Sequence, residues 1–279
     1  MGVRRAVEMA MLASDSIERS GDSIYTLGPL IHNARVLETL YNRGVICLDE
    51  KALGHVPKGS TVIIRAHGIT PSVEKALADQ GQKILDATCP NVKASQHKAR
   101  CFADKGYSIF LAGDENHAEI AGIRGYAKDE ACFVVANPDM AAAAAAELSC
   151  KEPSAKTVLI GQTTISPKEY IVIGEAILSY FPNLEIIDSI CSATAERQDA
   201  LRKLSEQVDA LIIAGSRESA NTRRLLALAQ DLGKPAWLVE SASDLPPEIR
   251  DYATIGLGAG ASTPISLIDE IEKAVEMRN

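Results

Sequence analysis

Short apolar runs rich in β-branched residues alternate along the chain with longer segments whose apolar residues recur at the helical period. Four of these runs, at residues 61–65, 108–112, 157–160 and 210–214, are typical of buried strands. Strands that alternate with helices predict an α/β fold with mostly parallel sheets. Ligands bind such sheets beyond the carboxyl ends of the strands, so the residues that follow each strand are the first candidates for a site.

The residues that follow the strands fall into matching sets. In one set a glycine is followed four residues later by a histidine or a serine, namely His32, His117 and Ser219. The second set, at residues 65–68, 161–164 and 258–263, is rich in glycine and small polar residues and contains His67, Thr163 and Ser262. Each set has three members, which predicts three structural repeats in the chain.

Two cysteines form a third set. Cys89 and Cys191 each stand three residues after an aspartate and directly before a predicted helix. Gly113 follows Cys89 by 24 residues, and Gly215 follows Cys191 by the same 24. The spacing predicts three similar small α/β domains, at residues 1–87, 88–187 and 188–279, in a pseudo-threefold trefoil whose strand ends surround one central cavity.

The repeat also predicts a cysteine upstream of the given sequence. The helix predicted at residues 3–19 holds the place that follows a strand and a cysteine in the other two repeats. The helix predicted at residues 264–277 is likewise followed by no strand in the sequence. The expectation is an N-terminally truncated chain whose missing strand ends in a third cysteine just before Met1.

The composition of the chain argues against several classes of binding partner and metal site. A net charge of −8 and a pI near 5.3 argue against nucleic-acid binding, which needs a basic surface. No run is apolar enough to predict a membrane span or a signal peptide, so a cytoplasmic location is expected. The six cysteines are better interpreted as core thiols or metal ligands than as disulfides, and the absence of a CxxC pair disfavours a mononuclear zinc site.

The cysteines at the strand ends have two interpretations. One thiolate from each repeat could bind three irons of a [4Fe-4S] cluster and leave the fourth iron open to a substrate oxygen. The alternative is that Cys89 and Cys191 are buried free thiols. For Cys47, Cys101 and Cys132, which lie inside predicted strands or a helix, the core interpretation is favoured.

The polar residues at the strand ends also have two interpretations. Histidines, hydroxyls and helix N-terminal amides can hold a diphosphate without a basic patch, yet the same residue types cap helices. Glu119, two residues after His117, could donate a proton to a leaving hydroxyl. Its alternative role is that of a first-turn acid stabilised by the helix dipole.

Nine segments in order resemble the LytB family of iron-sulfur 4-hydroxy-3-methylbut-2-enyl diphosphate reductases, over essentially the whole chain. They are residues 2–6, 32–33, 66–68, 86–90, 117–119, 162–164, 190–194, 219–221 and 259–262. The resemblance implies a trefoil around an oxygen-sensitive [4Fe-4S] cluster, with ferredoxin or flavodoxin as electron donor. The reaction it implies removes the allylic hydroxyl of (E)-4-hydroxy-3-methylbut-2-enyl diphosphate and yields isopentenyl and dimethylallyl diphosphates.

The resemblance also implies roles for individual residues. Cys89 and Cys191 would be cluster ligands, Glu119 the proton donor, and His117 and Thr163 neighbours of the substrate hydroxyl. The diphosphate would be held by His32, His67, Ser219, Asn221 and Ser262. Between the positions of Ser219 and Asn221, the family that this chain resembles often has a serine. This chain has Ala220 there, so only the Ala220 backbone amide could contribute.

The family's first cluster cysteine precedes the position of Met1, so the chain as given is expected to be inactive or to carry a damaged cluster. Two other classes of protein stay open on the sequence. A diphosphate-binding protein without a cluster would use the histidines and serines, with the cysteines in its core. A metal-free structural remnant would bind nothing at these loops.

Overall fold

The computed structural model describes residues 2–20, 23–31, 33–127 and 129–277. The helices it describes are α1 (Gly2–Ser20), α2 (Ala34–Asn42), α3 (Pro71–Asp79), α4 (Pro90–Asp104), α5 (Ala118–Arg124), α6 (Pro138–Lys151), α7 (Pro167–Leu178), α8 (Ser192–Ser205), α9 (Ala220–Asp231) and α10 (Ile265–Glu276). The strands are β1 (Ile24–Leu27), β2 (Val45–Leu48), β3 (Thr61–Ile64), β4 (Lys83–Asp86), β5 (Ser108–Ala112), β6 (Cys132–Val135), β7 (Thr157–Gly161), β8 (Glu185–Ile186), β9 (Ala210–Ala214), β10 (Ala236–Val239) and β11 (Ile255–Ala259). Helices and strands alternate, as the sequence predicts for an α/β fold.

The strands form three separate sheets, in the orders β2-β1-β3-β4, β6-β5-β7-β8 and β10-β9-β11. Every strand pair is parallel, which confirms the α/β fold class with parallel sheets. In each sheet the first strand along the chain is an inner strand. The second strand along the chain pairs with one of its edges and the third strand pairs with the other. The sheets fall within residues 1–87, 88–187 and 188–279 respectively, although the exact domain bounds stay a prediction.

The second sheet shows how the core is built. All five residues of β5 are buried, and alternate residues face opposite sides of the sheet. Phe110 packs in a cluster with residues of α6 and α7, whereas Ile109 and Leu111 pack with residues of α4 and α5. Helices therefore cover both faces, and each fully buried Leu, Ile or Phe contributes about 1.5–3 kcal/mol to the hydrophobic stabilisation.

Two ion pairs connect helices that belong to different sheets. Arg35 of α2 lies 2.7 Å from Glu270 of α10, and Arg224 of α9 lies 2.7 Å from Glu169 of α7. Exposed pairs of this kind contribute at most about 1 kcal/mol each. The arrangement of the three sheets must therefore come mainly from the packing of the loops and helices between them.

Within the described residues, no helix combines the length and the apolar character that crossing a bilayer requires.

Candidate functional site

Three helices that follow the central strands are capped by predicted site residues or their neighbours. His117 Nδ1 accepts from the Glu119 amide at 3.2 Å, and Ser219 Oγ accepts from the Thr222 amide at 3.4 Å. At the matching position in the first sheet, Asn33 Oδ1 accepts from the Val36 amide at 3.2 Å. The capping interpretation is thus confirmed for His117 and Ser219, while His32 lies outside the described residues.

Cys89 and Cys191 occupy equivalent positions. Each is the N-cap residue of a helix, α4 or α8, and neither makes a side-chain capping bond. The Cys89 amide donates to the carbonyl oxygen of Ala66 at 2.9 Å, and the Cys191 amide donates to that of Thr163 at 2.9 Å. The backbone of both cysteines is therefore fixed to a neighbouring strand end, at a helix N-terminus whose dipole favours a negatively charged sulfur ligand.

These elements surround a cavity of about 100 Å³. Its walls include predicted site residues from all three sheets, namely His67, Cys89, His117, Glu119, Thr163, Cys191, Ser219, Ala220, Asn221 and Ser262. The structure thus brings together every site residue that the sequence predicts, apart from the undescribed His32. Their placement is observed, whereas the role of each stays a prediction.

The cavity wall also includes polar residues that the sequence analysis did not select: Thr164, Thr194 and Arg197. Thr194 and Arg197 follow Cys191 on α8, and the guanidinium of Arg197 donates to the Ala193 carbonyl at 2.9 Å. The i, i+3 spacing of this pair, on a helix that begins directly after Cys191, is the signal that the sequence offers. Thr164 accepts a 2.9 Å hydrogen bond from the amide group of Gln162.

Glu119 is the buried carboxyl group of the site, with 2% of its surface exposed. Oε1 accepts from the Thr163 amide at 2.6 Å, and Oε2 accepts from the Thr163 hydroxyl at 2.9 Å. Burial raises the pKa of Glu119 to about 7, against the lowering effect of these two hydrogen bonds and of the Arg224 charge. Near neutral pH the carboxyl group can therefore both hold and release a proton.

Two histidines of the cavity wall, His67 and His117, are in contact with each other. The rings of His67 and His117 meet edge to face, with their centroids 5.3 Å apart. Because His117 Nδ1 accepts from the Glu119 amide, a neutral His117 carries its proton on Nε2. Gly68, at φ 76°, allows the sharp turn after His67, and a Cβ there would lie 3.3 Å from the Thr88 methyl group.

Asn221 is 7% exposed, and neither its amide nitrogen nor its amide oxygen has a hydrogen-bond partner among the described residues. A buried amide without partners costs about 1–3 kcal/mol, so such groups call for an explanation such as a missing ligand. Ser262 lies on the same cavity wall, where its backbone carbonyl accepts from the Asn33 side chain at 3.2 Å.

Within the described part of the chain, no group of three or more His, Cys, Asp or Glu residues is placed to hold a metal ion. Cys89 and Cys191 are the two cysteines that line the cavity. Gly2, the first described residue, also lines it, and a Cβ at Gly2 would collide with the Cys89 sulfur. The amino end of α1 thus lies directly against one of the two cavity thiols.

The other described cysteines lie away from this cavity wall. Cys132 is buried in β6, as the core interpretation predicts. Cys47 of β2 is exposed, so the core interpretation is wrong for it, because its side chain faces solvent on an outer strand of the first sheet. Cys101 of α4 is half-buried.

The family model described as LytB protein matches residues 1–276. The chain belongs to the LytB family. Relatives named 4-hydroxy-3-methylbut-2-enyl diphosphate reductase include one from Treponema denticola, 43% identical over 274 residues that cover 98% of this chain and 94% of the relative. Another LytB relative, from Aquifex aeolicus, is 37% identical over 281 residues, with 99% and 92% of the two chains covered.

Solved structures agree with this family membership. The E-1-hydroxy-2-methyl-but-2-enyl-4-diphosphate reductase from Plasmodium falciparum superposes with a TM-score of 0.87 at 30% identity, covering 99% of this chain and 83% of that one. A second structure, of the terminal reductase of the non-mevalonate pathway, gives a TM-score of 0.70 at 34% identity, covering 99% and 95%. The resemblance to the LytB family seen in the sequence is confirmed.

Proposed function

We propose that the chain catalyses the reductive dehydroxylation of (E)-4-hydroxy-3-methylbut-2-enyl diphosphate. The substrate takes up two electrons and two protons, its allylic C–O bond breaks, and isopentenyl or dimethylallyl diphosphate and one water are formed. The observation that carries the proposal is the meeting of a buried, protonatable Glu119 with Cys89 and Cys191 in one cavity. The reductases named among the relatives support the same substrate class.

The diphosphate would bind at the N-terminus of α9. The cavity wall there is formed by Ser219, Ala220 and Asn221 together with Ser262. The free backbone amides of a helix N-terminus favour the binding of an anion. Among the described residues the side-chain amide of Asn221 has no partner. Its nitrogen would donate to an oxygen of the diphosphate, and its oxygen would accept from a protonated P–OH group. His67, and the predicted His32, would donate to the remaining oxygens.

The LytB resemblance implies a [4Fe-4S] cluster, which when bound supplies electrons and an iron open to the substrate hydroxyl. Cys89 and Cys191 fit two of its ligand positions, because both thiols line the cavity from equivalent helix N-termini without a capping role. The third thiolate stays a prediction, placed by the repeat just upstream of Met1. The contact of Gly2 with the Cys89 sulfur supports that position.

The protein's own contribution to the chemistry is the positioning and proton transfer. A diphosphate fixed at α9 and Ser262 holds the allylic hydroxyl in place, which lowers the entropic part of the barrier. Glu119 protonated on Oε2 would donate to the Thr163 hydroxyl, which reverses the 2.9 Å hydrogen bond seen in the structure, and that hydroxyl would pass its own proton to the departing oxygen, turning hydroxide into water. Neutral His117, with its Nε2 proton, would donate to the same oxygen before the bond breaks.

One observation favours a second candidate, a diphosphate-binding protein without a cluster. Among the described residues the Asn221 amide has no hydrogen-bond partner, and a bound diphosphate would supply one without any role for the cysteines. This candidate predicts diphosphate binding of normal strength, no bound iron and no turnover.

The experiment compares this chain with a version extended upstream through the predicted strand and cysteine. Both are reconstituted anaerobically, and iron, sulfide, the electron paramagnetic resonance spectrum and methyl-viologen-driven dehydroxylation are measured. A cluster signal with product formation in the extended version supports the reductase. If neither version binds iron while both bind inorganic pyrophosphate, the reductase is rejected in favour of the second candidate.

A further inference from the structure

We infer that a second cavity, beside the central one, is an entry site that captures an allylic diphosphate before the molecule reaches the central cavity. This outer cavity has a volume of about 370 Å³. Its charged and large apolar wall residues include Arg4, Val7, Val36, Arg197, Ile265 and Ile268. The inference rests on the proposed function for the class of its ligand, and it adds the route of that ligand and the residues that attract it.

The outer cavity lies between solvent and the central cavity. Toward solvent, the Arg4 side chain is 69% exposed and Ile265 is 62% exposed. Toward the centre, four residues line both cavities, namely Ile31, Arg197, Ala261 and Ser262. Ile31 is only 2% exposed, so this shared wall lies inside the protein. A ligand in the outer cavity can therefore contact Ser262, a proposed diphosphate-binding residue of the central cavity.

The charges of the outer cavity favour an anion. Arg4 and Arg197 line it, and the described residues of its wall include no Asp or Glu. Arg4 lies 3.6 Å from Glu8 in an exposed pair, which contributes little and leaves the guanidinium accessible to a ligand. The chain as a whole carries a net charge of −8, so most of its surface repels a diphosphate. Two guanidinium groups at one cavity direct the approach of such a ligand to that place.

Arg197 joins the two cavities. It is half-buried, and among the described residues its guanidinium has one hydrogen-bond partner, the Ala193 carbonyl oxygen at 2.9 Å, and no carboxylate partner. Since a guanidinium has five N–H donors, most of them are left for a ligand. A partly buried charge without a counter-ion is unfavourable, which points to an anionic ligand. Arg197 is also the one Lys or Arg on the described wall of the central cavity, so it can hand the diphosphate inward.

The apolar part of the outer cavity fits a short isoprenoid chain. Ile265 and Ile268 lie three residues apart on α10 and line the cavity together, and Val7 and Val36 line it from α1 and α2. A branched five-carbon chain bound there would cover the exposed Ile265 side chain and remove apolar surface from water. An allylic diphosphate matches both parts of the wall, whereas inorganic pyrophosphate matches the charged part alone.

The test compares two probes on the full chain without a cluster. Inorganic pyrophosphate has the charged end alone, and dimethylallyl diphosphate adds the apolar chain. Phosphorus NMR line shapes at several salt concentrations give the association and dissociation rates. The variants are Arg197→Gln, Arg197→Lys and Ile265→Gln, with folding checked by circular dichroism. The matched control is Arg202→Gln, because Arg202 lies on the same helix α8, 4.0 Å from Asp199, and lines neither cavity.

Arg197→Gln should lower the association rate of both probes roughly fivefold to tenfold, because one of two steering charges is lost. The difference from wild type should shrink at high salt, and Arg197→Lys should retain most of the wild-type rate. Ile265→Gln should slow the association of dimethylallyl diphosphate severalfold and leave that of pyrophosphate unchanged. Arg202→Gln should match wild type with both probes.

Three results would overturn the inference. They are an unchanged association rate in Arg197→Gln, an equal loss in Arg202→Gln, and a loss in Arg197→Gln that lies entirely in the dissociation rate. Equal effects of Ile265→Gln on the two probes would exclude the apolar part of the site and, with it, an allylic diphosphate as the selected ligand.

These rates need no cluster and no turnover, so their outcome is separate from that of the proposed function. Normal binding by wild type with an unaltered rate in Arg197→Gln rejects the entry site and leaves the proposed function standing. Failure of wild type to bind either probe would reject the entry site and the diphosphate site at α9 together. In the form of the chain that binds a cluster, Arg197→Gln should raise KM and leave kcat unchanged. A lower kcat with an unchanged KM would contradict entry as the role of Arg197.

Discussion

Thr163 holds the carboxyl group of Glu119 through both of its donors, the backbone amide at 2.6 Å and the hydroxyl at 2.9 Å. The carbonyl oxygen of the same threonine accepts the amide of Cys191 at 2.9 Å. One residue thus fixes the proposed proton donor relative to the helix that carries a proposed cluster ligand. Since each hydrogen bond to a charged group contributes about 1.5–3 kcal/mol, the carboxyl group has a well-defined position.

Replacing Glu119 by Gln should lower the dehydroxylation rate by about a hundredfold or more, because the proton donor is lost while the shape is kept. Methyl-viologen-driven turnover at pH 7, in the form of the chain that binds a cluster, measures the rate, and pyrophosphate binding should stay at the wild-type level. A variant that retains a third or more of the wild-type rate would exclude Glu119 as the essential acid.

The pKa of Glu119 also predicts how stability depends on pH. Burial raises it from 4.5 to about 7, so the folded state holds the proton more tightly than the unfolded state. The stabilisation is complete below about pH 4.5 and is lost as pH rises through 7. Between pH 5 and 8, wild type should lose between about 2 and 3 kcal/mol of unfolding free energy relative to Glu119→Gln.

Denaturant unfolding of both proteins at several pH values tests this expectation. Parallel stability curves for wild type and Glu119→Gln across that range would mean that the folded-state pKa is not raised.

Replacing Cys89 or Cys191 by Ser should abolish iron and sulfide binding in the form of the chain that binds a cluster, because thiolates are its ligands. Cys47→Ser is the matched control, since Cys47 is an exposed cysteine outside the cavity wall. Iron and sulfide analysis after anaerobic reconstitution gives the result. Full iron content in Cys191→Ser would remove that residue from the ligand set.

Asn221→Ala should weaken pyrophosphate binding by about ten- to a hundredfold without lowering the thermal stability. The reason is that the Asn221 amide atoms have no protein partner in the described structure, so the substitution removes a ligand contact and no internal hydrogen bond. Calorimetric titration gives the affinity and differential scanning fluorimetry the stability. A melting temperature several degrees lower would show that Asn221 has a structural role instead.

Ala220→Ser should strengthen pyrophosphate binding severalfold, since one added hydrogen bond is worth about 1 kcal/mol. Ala220 lines the cavity beside Ser219 and Asn221, at a position where the LytB resemblance implies a serine. Ala193→Ser, on α8 in the same cavity wall, is the control and should leave the affinity unchanged. An equal gain in both variants would indicate a nonspecific effect of the hydroxyl.

Much of the fold was readable from the sequence because it depends on local patterns. The strands at residues 108–112 and 210–214 lie where their apolar runs predict them. The helix predicted at residues 3–19 extends by one residue at each end, and the strand predicted at residues 61–65 ends at Ile64. Element ends are set by caps and loop contacts, which periodicity does not encode.

The cysteine pair and the polar strand ends were found by their spacing in the repeat, and Glu119 by its place two residues after His117. By contrast, Thr164, Thr194 and Arg197 were missed. The i, i+3 spacing of Thr194 and Arg197 after Cys191 does not by itself distinguish a cavity wall from a solvent-facing helix, and Thr164 lies in a loop outside that pattern. Cys47 was misjudged for the same reason: its strand is apolar in sequence, but its side chain lies on an exposed side of the sheet.

The α/β class, the threefold repeat and the residue types that gather at the strand ends all follow from periodicity and spacing along the chain, so they could be predicted before any contact was known. The burial of Glu119 against Thr163, and the lack of a partner for the Asn221 amide among the described residues, became visible only in the folded structure. Burial and hydrogen bonding in this cavity depend on residues from three sheets, up to 229 positions apart in the contact of Asn33 with Ser262. The protonation of Glu119 is set by that packing, since desolvation raises a pKa only after the surrounding chain has excluded water.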